Sequence, residues 1–414
     1  MDSLLVPKDH NVLMSTVVRN CGQLVTMAGP RRPRVGPEMR DLGLISNAAF
    51  AFQDGAITWV GPDSDAPSGN QEIDAGGGLV TPGFVDAHTH VIFGGNRANE
   101  FELRSQGATY QEIKETGGGI MSSVRATREA SFDELLSSAS ERLQWMLASG
   151  TTTVEVKSGY GLDFESEKKM LQVAAKLGPQ RIVRTYLGAH SFPPEPGSKG
   201  EYLESIFATI QEIEPLAEFC DIFVESGYFE PDDARRLFAA TKLKPRLHVD
   251  QFTNNGGAKL AAELGAKTAD HLEQTDLEGI RALKQAGVIP VLVPGSVYCL
   301  GLAKYPEARL MIDEGLPVVL ATDFNPGSSP TPSLPFVMSL ACTHMKMSPA
   351  EAMTACTINA AYSLDRGELV GSIEPGKQAD FLIHDVSDYR EIAYWAGRSS
   401  VSQVFISGSS VYPN

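Results

Sequence analysis

Long apolar runs are missing from this sequence: none approaches the roughly 18 to 20 residues a helix needs to cross a bilayer. The start, "MDSLLVPKDHNVLMS", also lacks the basic stretch and apolar core of an export signal. The expectation is a chain neither inserted in a membrane nor exported. Basic residues are in short supply too. Against 51 Asp and Glu stand 35 Lys and Arg, a formal charge of −16, whereas a nucleic-acid binder ordinarily displays a basic face. Nucleic acid is therefore not an expected partner, and an anionic small molecule would need its own local Arg or Lys. Cysteine is sparse: Cys21, Cys220, Cys299, Cys342 and Cys356 are odd in number and contain no CxxC spacing. Scattered thiols of this kind read as reduced, buried side chains of a cytoplasmic protein.

What is present is globular material. Hydrophobic residues make up 42% and charged residues 21%, near the soluble average, which excludes disorder and favours a packed core. At 414 residues the chain is long for one core. The usual allowance of roughly 150 residues per domain gives two or three units, or one large barrel with a satellite.

Three zones follow one another. Residues 1–80 hold short apolar runs split by turns, "GQLVTMAG", "LISNAAFAF", "GAITWVG" and "EIDAGGGLV", which read as a small β-unit. Residues 81–366 alternate strand-like and helix-like segments. The strand-like runs are "GFVDAHTH", "TTTVEVKSGYG", "RIVRTYLGAH", "FCDIFVESGY", "KPRLHVD", "AKTADHLEQ", "VIPVLVPGS" and "PVVLATDFN". Between them "SFDELLSSASERLQWMLAS" opens on a capping box, Ser131 with Glu134, and "ESEKKMLQVAAKLG" closes on a glycine. About eight β/α alternations are the count of a TIM (β/α)8 barrel, although a doubly wound sheet alternates in the same way. Residues 367–414 return to β in "GSIEPGKQADFLIHDV" and "VSQVFISGSSVYPN", so both chain ends are expected to build one β-unit, a small β-sandwich, beside the barrel.

The histidines are placed unevenly over this pattern. Of eight, five (His88, His90, His190, His248 and His271) fall at the C-terminal ends of strand-like runs, as does Asp323 in "VVLATDFNPGSS". In a TIM barrel those ends meet at the face that carries active sites. Residues i and i+2 of a strand point the same way, so His88 and His90 can aim both imidazoles into the barrel mouth. With His248 and Asp323 they make three neutral nitrogen donors and one carboxylate oxygen, a set suited to Zn²⁺ or Fe²⁺ with a position left for water. Water held there ionises near neutral pH and becomes a nucleophile. A lone HxH or a lone Asp after an apolar run is commonly structural; the combination on one barrel face is what points to a metal. His10, His344 and His384 have no such context and read as structural. The glycines of "GGGI", Gly117–Gly119, lack the lysine of a phosphate-binding loop and read as a tight loop.

These residues carry a resemblance. "TPGFVDAHTH" and "GSIEPGKQADFLI" are similar to the opening and closing signatures of the amidohydrolase superfamily. Within it the runs "GGNRANEFELRSQGATYQEI", "GGGIMSSVRATR", "TTTVEVKSGYGLD", "YLGAHSFPPE", "TADHLEQT" and "ATDFNPGSSPT" resemble the imidazolonepropionase family over nearly the whole chain. The resemblance implies a metal-dependent cyclic amidohydrolase of histidine degradation, which opens 4-imidazolone-5-propanoate to N-formimidoyl-L-glutamate. It implies a divalent ion, zinc or iron, on His88, His90, His248 and Asp323; "RTYLGAH" and "IFVESGY" show no Lys at their strand ends to bridge a second metal, so one ion is expected. Substrate contacts would come from Arg97, Tyr160, His190, Asn325, Gly327 and Ser328. It also implies a small-molecule substrate as partner, with a homodimer left open. The side chains suit these roles independently: a propionate in so acidic a chain needs a planar cation such as Arg97, and Tyr160 offers a ring face and a hydroxyl to a flat heterocycle.

One position departs from the pattern. Gln251 stands three residues after His248, where many ring deaminases carry Glu, and an amide cannot shuttle a proton. That disfavours deamination, leaves Gln251 a hydrogen-bonding role, and moves the acid-base work to Asp323 and His271. Two alternatives remain open: a related mononuclear hydrolase or deaminase acting on another nitrogen heterocycle, and an inactive scaffold.

Overall fold

Gly83 marks a change of sheet in the computed structural model, which describes residues 15–108, 112, 117–193, 195 and 197–413. His10 and most of the opening segment lie outside them. Before Gly83 run β1 (Ser15–Val25), β2 (Leu44–Gln53), β3 (Ala56–Pro62), β4 (Gln71–Asp74) and β5 (Leu79–Pro82). After it come β6 (Phe84–Asp86), β7 (Thr151–Lys157), β8 (Arg181–Ala189), β9 (Phe219–Val224), β10 (Lys244–Val249), β11 (Thr268–His271), β12 (Ile289–Leu292) and β13 (Val319–Leu320). The chain finishes with β14 (Phe381–His384), β15 (Val401–Ile406) and β16 (Ser409–Tyr412).

β6 to β13 pair in strict chain order, all parallel. A parallel bridge between Thr89 and Phe324, just past the first and last strands, closes the ring. This is a TIM barrel, and its closure is made by the two segments that bear His88, His90 and Asp323: Asp323 N–H donates to His88 O at 3.0 Å and His90 N–H to Phe324 O at 2.9 Å. The other sheet takes strands from both chain ends in the order β16-β15-β14-β5-β1-β2-β3, with β4 beside β1. It curls until Ile57 N–H reaches Lys377 O at 2.7 Å. Its halves enclose Phe50, Phe381 and Phe405, with ring centroids 4.9 Å (Phe50–Phe381) and 4.3 Å (Phe381–Phe405) apart.

Local sequence explains the helices that wall the barrel. Phe132–Ala148 begins at the capping box read from the sequence: Glu134 N–H donates to Ser131 Oγ at 3.2 Å, and Ser131 N–H to Glu134 Oε2 at 2.8 Å. Leu135, Ala139, Leu143, Met146 and Leu147 then form one buried face. The helix Phe164–Ala174 starts on Asp163 but stops short of Gly178, contrary to expectation. Lys176 and Leu177 tighten to three-residue hydrogen bonds on Val173 and Ala174 as the chain runs into Pro179. Gly117 and Gly119 take left-handed φ angles of 81° and 75° and lead into Ile120–Glu129, with Gly119 N–H on the Glu100 carboxylate at 2.9 Å.

Two of the cysteines also differ from expectation. Cys21, Cys220 and Cys356 are buried, whereas Cys299 and Cys342, each in the last turn of a helix, are partly exposed. His344 stacks on Tyr305 at 4.6 Å, and His384 is buried between Thr81 and Ser400, both structural contacts. Among the described residues no helix is long and apolar enough to cross a membrane.

Candidate metal centre and active site

Strand alternation decides what reaches the lumen. In β7 the valines Val154 and Val156 face the helices while Thr151, Thr153, Glu155 and Lys157 turn inward. The same parity brings Asp221 of β9 and both Arg246 and His248 of β10 inside, with Cys220, Ile222, Leu247 and Val249 outside. His271 shares the parity of the outward Ala269, yet its left-handed φ of 82° breaks the pleat and turns the imidazole to the mouth. Asp323 sits at φ 52° and Asp250 at φ 53°, so strained backbone gathers at this end of the barrel.

His88, His90, His248 and Asp323 converge. The Nε2 atoms of His88 and His90 are 3.3 Å apart, and those of His90 and His248 are 3.5 Å apart. Asp323 Oδ1 stands 3.5 Å from His88 Nε2 and 3.4 Å from His90 Nε2. About 3.4 Å is the edge of a tetrahedron whose corners lie about 2.1 Å from its centre, the bond length zinc makes to imidazole and carboxylate. Lone pairs at that spacing repel unless a cation lies among them, and burial, helped by the nearby Lys157 and neighbouring imidazoles, holds His88 and His90 well below the usual histidine range, hence neutral. Burial also pushes the Asp323 carboxyl up, a cost that a cation at this point removes. The donor set fits a divalent ion.

Behind the donors lie carboxylates. His88 Nδ1 hydrogen-bonds Asp270 Oδ2 at 2.7 Å, which fixes the tautomer presenting its Nε2, and the Asp221 carboxylate stands 3.0 Å from His248 Nδ1. Burial opposes the charge of Asp221, but His248 and Lys157 hold it well below the ordinary carboxylate range. His271 Nδ1 faces Glu273 Oε1 at 3.5 Å; burial disfavours its cation, and the Glu273 carboxylate outweighs that and raises it.

In front of the donors opens a cavity of about 660 Å³, lined among others by Arg97, Tyr160, His190, Gln251, His271 and Ser328. Arg97 donates Nε–H to Ser123 Oγ at 3.0 Å and has no ion-pair partner among the described residues. Its guanidinium lies against Gly327, where a Cβ would come within 2.2 Å of Nη1, so a side chain there would displace the guanidinium. Tyr160 rides on a loop caged by Glu167, whose carboxylate accepts the N–H groups of Gly159, Gly161 and Leu162 at 2.7–2.8 Å. The same loop offers Gly159 O to His190 Nδ1 at 2.9 Å, so His190 donates there and keeps Nε2 as an acceptor. Burial and His248 push His190 down to about 3, which leaves it neutral. Asn325 spends both ends of its amide on the 323–328 turn, donating to Asp323 O at 2.6 Å and accepting from Gly327 and Ser328 N–H at 2.8 Å.

Every site residue expected from the sequence therefore lies in the donor cluster or on the cavity wall. Asp221, Asp270, Glu167 and Glu225, which holds the loop after Gln251 through Phe252 N–H at 2.8 Å, were not singled out. The signal of Asp221, Asp270 and Glu225 is a charged residue at an inward position of an otherwise apolar strand, or just beyond one; Glu167 lies in the first turn of the helix Phe164–Ala174 and carries no such signal.

Known proteins resemble this chain over nearly its full length. The amidohydrolase family matches residues 71–150 and 237–411. The imidazolonepropionase of Solibacter usitatus is 52% identical over 416 residues, covering 97% of this chain and 99% of its own. That of Geobacillus kaustophilus is 48% identical over 414 residues, covering 95% and 97%. Among solved structures, E. coli guanine deaminase shares the fold with a TM-score of 0.73 at 16% identity, covering 97% of this chain and 99% of its own. With relatives this similar over their full length, the chain belongs to the imidazolonepropionase family of the amidohydrolases.

Proposed function

We propose that this chain hydrolyses 4-imidazolone-5-propanoate to N-formimidoyl-L-glutamate in histidine degradation, the activity named in its relatives. One juxtaposition carries the reading: two overlapping trios of buried donors, His88/His90/Asp323 and His88/His248/His271, and the guanidinium of Arg97, free of any ion pair among the described residues, meet at the same cavity. A divalent ion on His88, His90, His248 and Asp323, zinc or iron, supplies a Lewis acid for the ring carbonyl and lowers the pKa of water beside it. A single ion is proposed, because Lys157, which ends β7, is taken up by Glu155 and Asp221 at 2.8 Å each.

The protein side chains divide the remaining work. Arg97 holds the propionate in its planar fork, and Tyr160 lies against the ring. His190, neutral and with Nε2 free to accept, takes a ring N–H; Gln251, Asn325, Gly327 and Ser328 complete the wall, Gln251 with one hydrogen bond. Asp323 accepts a proton from the attacking water, and His271 delivers one to the ring nitrogen as its bond to the carbonyl carbon breaks. Water's oxygen ends in the new carboxylate, one of its protons on the released nitrogen, and the other, lost as the carboxyl ionises, on the basic formimidoyl group of the product. Residues 81–366 form the catalytic segment, with 1–80 and 367–414 flanking it. We place the enzyme in the cytoplasm, with a small-molecule substrate and no nucleic-acid or membrane partner; a homodimer is tested by solution mass.

Deamination of another heterocycle is the competing chemistry. Gln251 disfavours it, since an amide cannot protonate a ring nitrogen. An inactive scaffold is disfavoured by the complete donor set. The deciding experiment combines metal analysis with turnover of 4-imidazolone-5-propanoate. One ion per chain and formation of the formimidoyl product are expected; a metal-loaded enzyme that leaves this substrate intact would refute the assignment.

A further inference from the structure

Below the donor cluster lies a layer of five ionised side chains, Glu155, Lys157, Asp221, Arg246 and Asp270, each with zero exposure. Lys157 Nζ donates to Glu155 Oε1 and Asp221 Oδ2, both at 2.8 Å, and lies 3.8 Å from Asp270 Oδ2. Arg246 Nη2 donates to Ala87 O at 2.7 Å and to Asp270 Oδ2 at 3.3 Å. Asp221 and Asp270 in turn face the Nδ1 atoms of His248 and His88. No member of the layer lines the cavity, so none touches a substrate.

Burying five charges is costly, and a barrel interior of this size is ordinarily filled with branched apolar side chains. Here the two cations do what apolar groups cannot. Each holds a carboxylate in place, Lys157 that of Asp221 and Arg246 that of Asp270, and each carboxylate faces one imidazole. His90 differs in having no ion-pair contact at Nδ1 among the described residues; His248 Nδ1 makes no hydrogen bond there either, but has the Asp221 carboxylate at 3.0 Å. We propose that Lys157 and Arg246 are positioning residues of the metal centre, acting through Asp221 on His248 and through Asp270 on His88 to present both Nε2 atoms to the ion. This rests on the metal reading of the preceding section.

The test is Co²⁺ binding to the metal-free full chain, followed by chelator competition and by the ion's visible absorption, with thermal melting in parallel. Lys157→Met should weaken binding by about 10- to 100-fold, the usual effect of losing an outer partner of a metal ligand. The double variant Lys157→Met/Asp221→Asn should bind no more weakly than Asp221→Asn alone, because the lysine acts through that carboxylate. A merely structural layer would instead lower the melting temperature while affinity stayed at the wild-type value, or would give additive losses; either result overturns the proposal. Should Lys157→Met fail to fold, Arg246→Lys keeps the charge and loses the Nη2 group that donates to both Asp270 and Ala87 O. Weaker Co²⁺ binding by that variant supports the link, and unchanged binding overturns it. A wild-type chain that bound no Co²⁺ would remove the metal reading as well, whereas tight binding by wild type and variants alike removes this link alone.

Discussion

The barrel lumen and the curl of the terminal sheet are equally buried and built from opposite materials. Under the barrel mouth the fully buried side chains are Glu155, Lys157, Asp221, Arg246 and Asp270; inside the curl they are Phe50, Phe381 and Phe405, nearly or wholly buried. An apolar core is non-directional and stabilises in proportion to area removed from water. An ionised core gives little net stability but enforces geometry, since each charge tolerates only a paired position. One region holds the molecule together, and the other holds imidazoles at fixed spacings.

The largest effect expected from separating the two roles is at the donors. His88→Ala or His90→Ala should abolish metal retention and reduce turnover to background while the melting temperature stays near wild type; stoichiometric metal in the double variant would remove the clamp. Next comes His271→Asn, which should keep its metal and lose on the order of 10² to 10⁴ in kcat, the worth of one positioned acid-base group. Gln251→Ala should cost less, a hydrogen bond and no proton transfer. Kinetics at matched metal content decide this, and a more damaging Gln251→Ala would mean the proton path is misassigned.

From the other side of the comparison, Phe381→Ala removes a ring packed between Phe50 and Phe405. A loss of about 3–5 kcal/mol in unfolding free energy is expected, with kcat and metal content of the folded protein unchanged. Denaturant titration beside a metal assay measures both. Arg97→Lys keeps charge but not the fork, and should raise KM by roughly 10- to 100-fold, the equivalent of a charge-assisted hydrogen bond. An unchanged KM would place the propionate elsewhere.

The smallest effect sharpens the contrast between buried and exposed charge. Near the barrel foot Asp365 pairs with Lys267 at 2.6 Å and with Lys244. Burial works against its charge, but the two ammoniums hold Asp365 below the usual carboxylate range. A depressed carboxylate contributes stability above its unfolded pKa, near pH 4, and loses it as pH falls through the lower folded value. With Lys244 largely exposed, Asp365→Asn should cost under about 1 kcal/mol at neutral pH and nothing in strong acid. Melting curves from pH 7 to pH 2 check the sign.

Much of this architecture is legible in the chain itself. Eight strand-like runs separated by amphipathic helices give the count of a barrel, which a doubly wound sheet can share, and histidines gathered at the ends of those runs favour the barrel, whose strand ends meet at one face. The curled sheet is less legible, because its closure pairs Ile57 with Lys377, residues brought together only by folding.

By itself, then, the sequence determined the elements, their order and the identities of the inner donors, since His88 and His90 lie two apart on one strand and strand parity is a local property. Tertiary structure alone decided which carboxylate stands behind which imidazole. Asp270 meets His88 across 182 positions and Lys157 meets Asp221 across 64. Such pairings depend on the register of eight strands around a closed ring, and register is a collective property that no single run encodes.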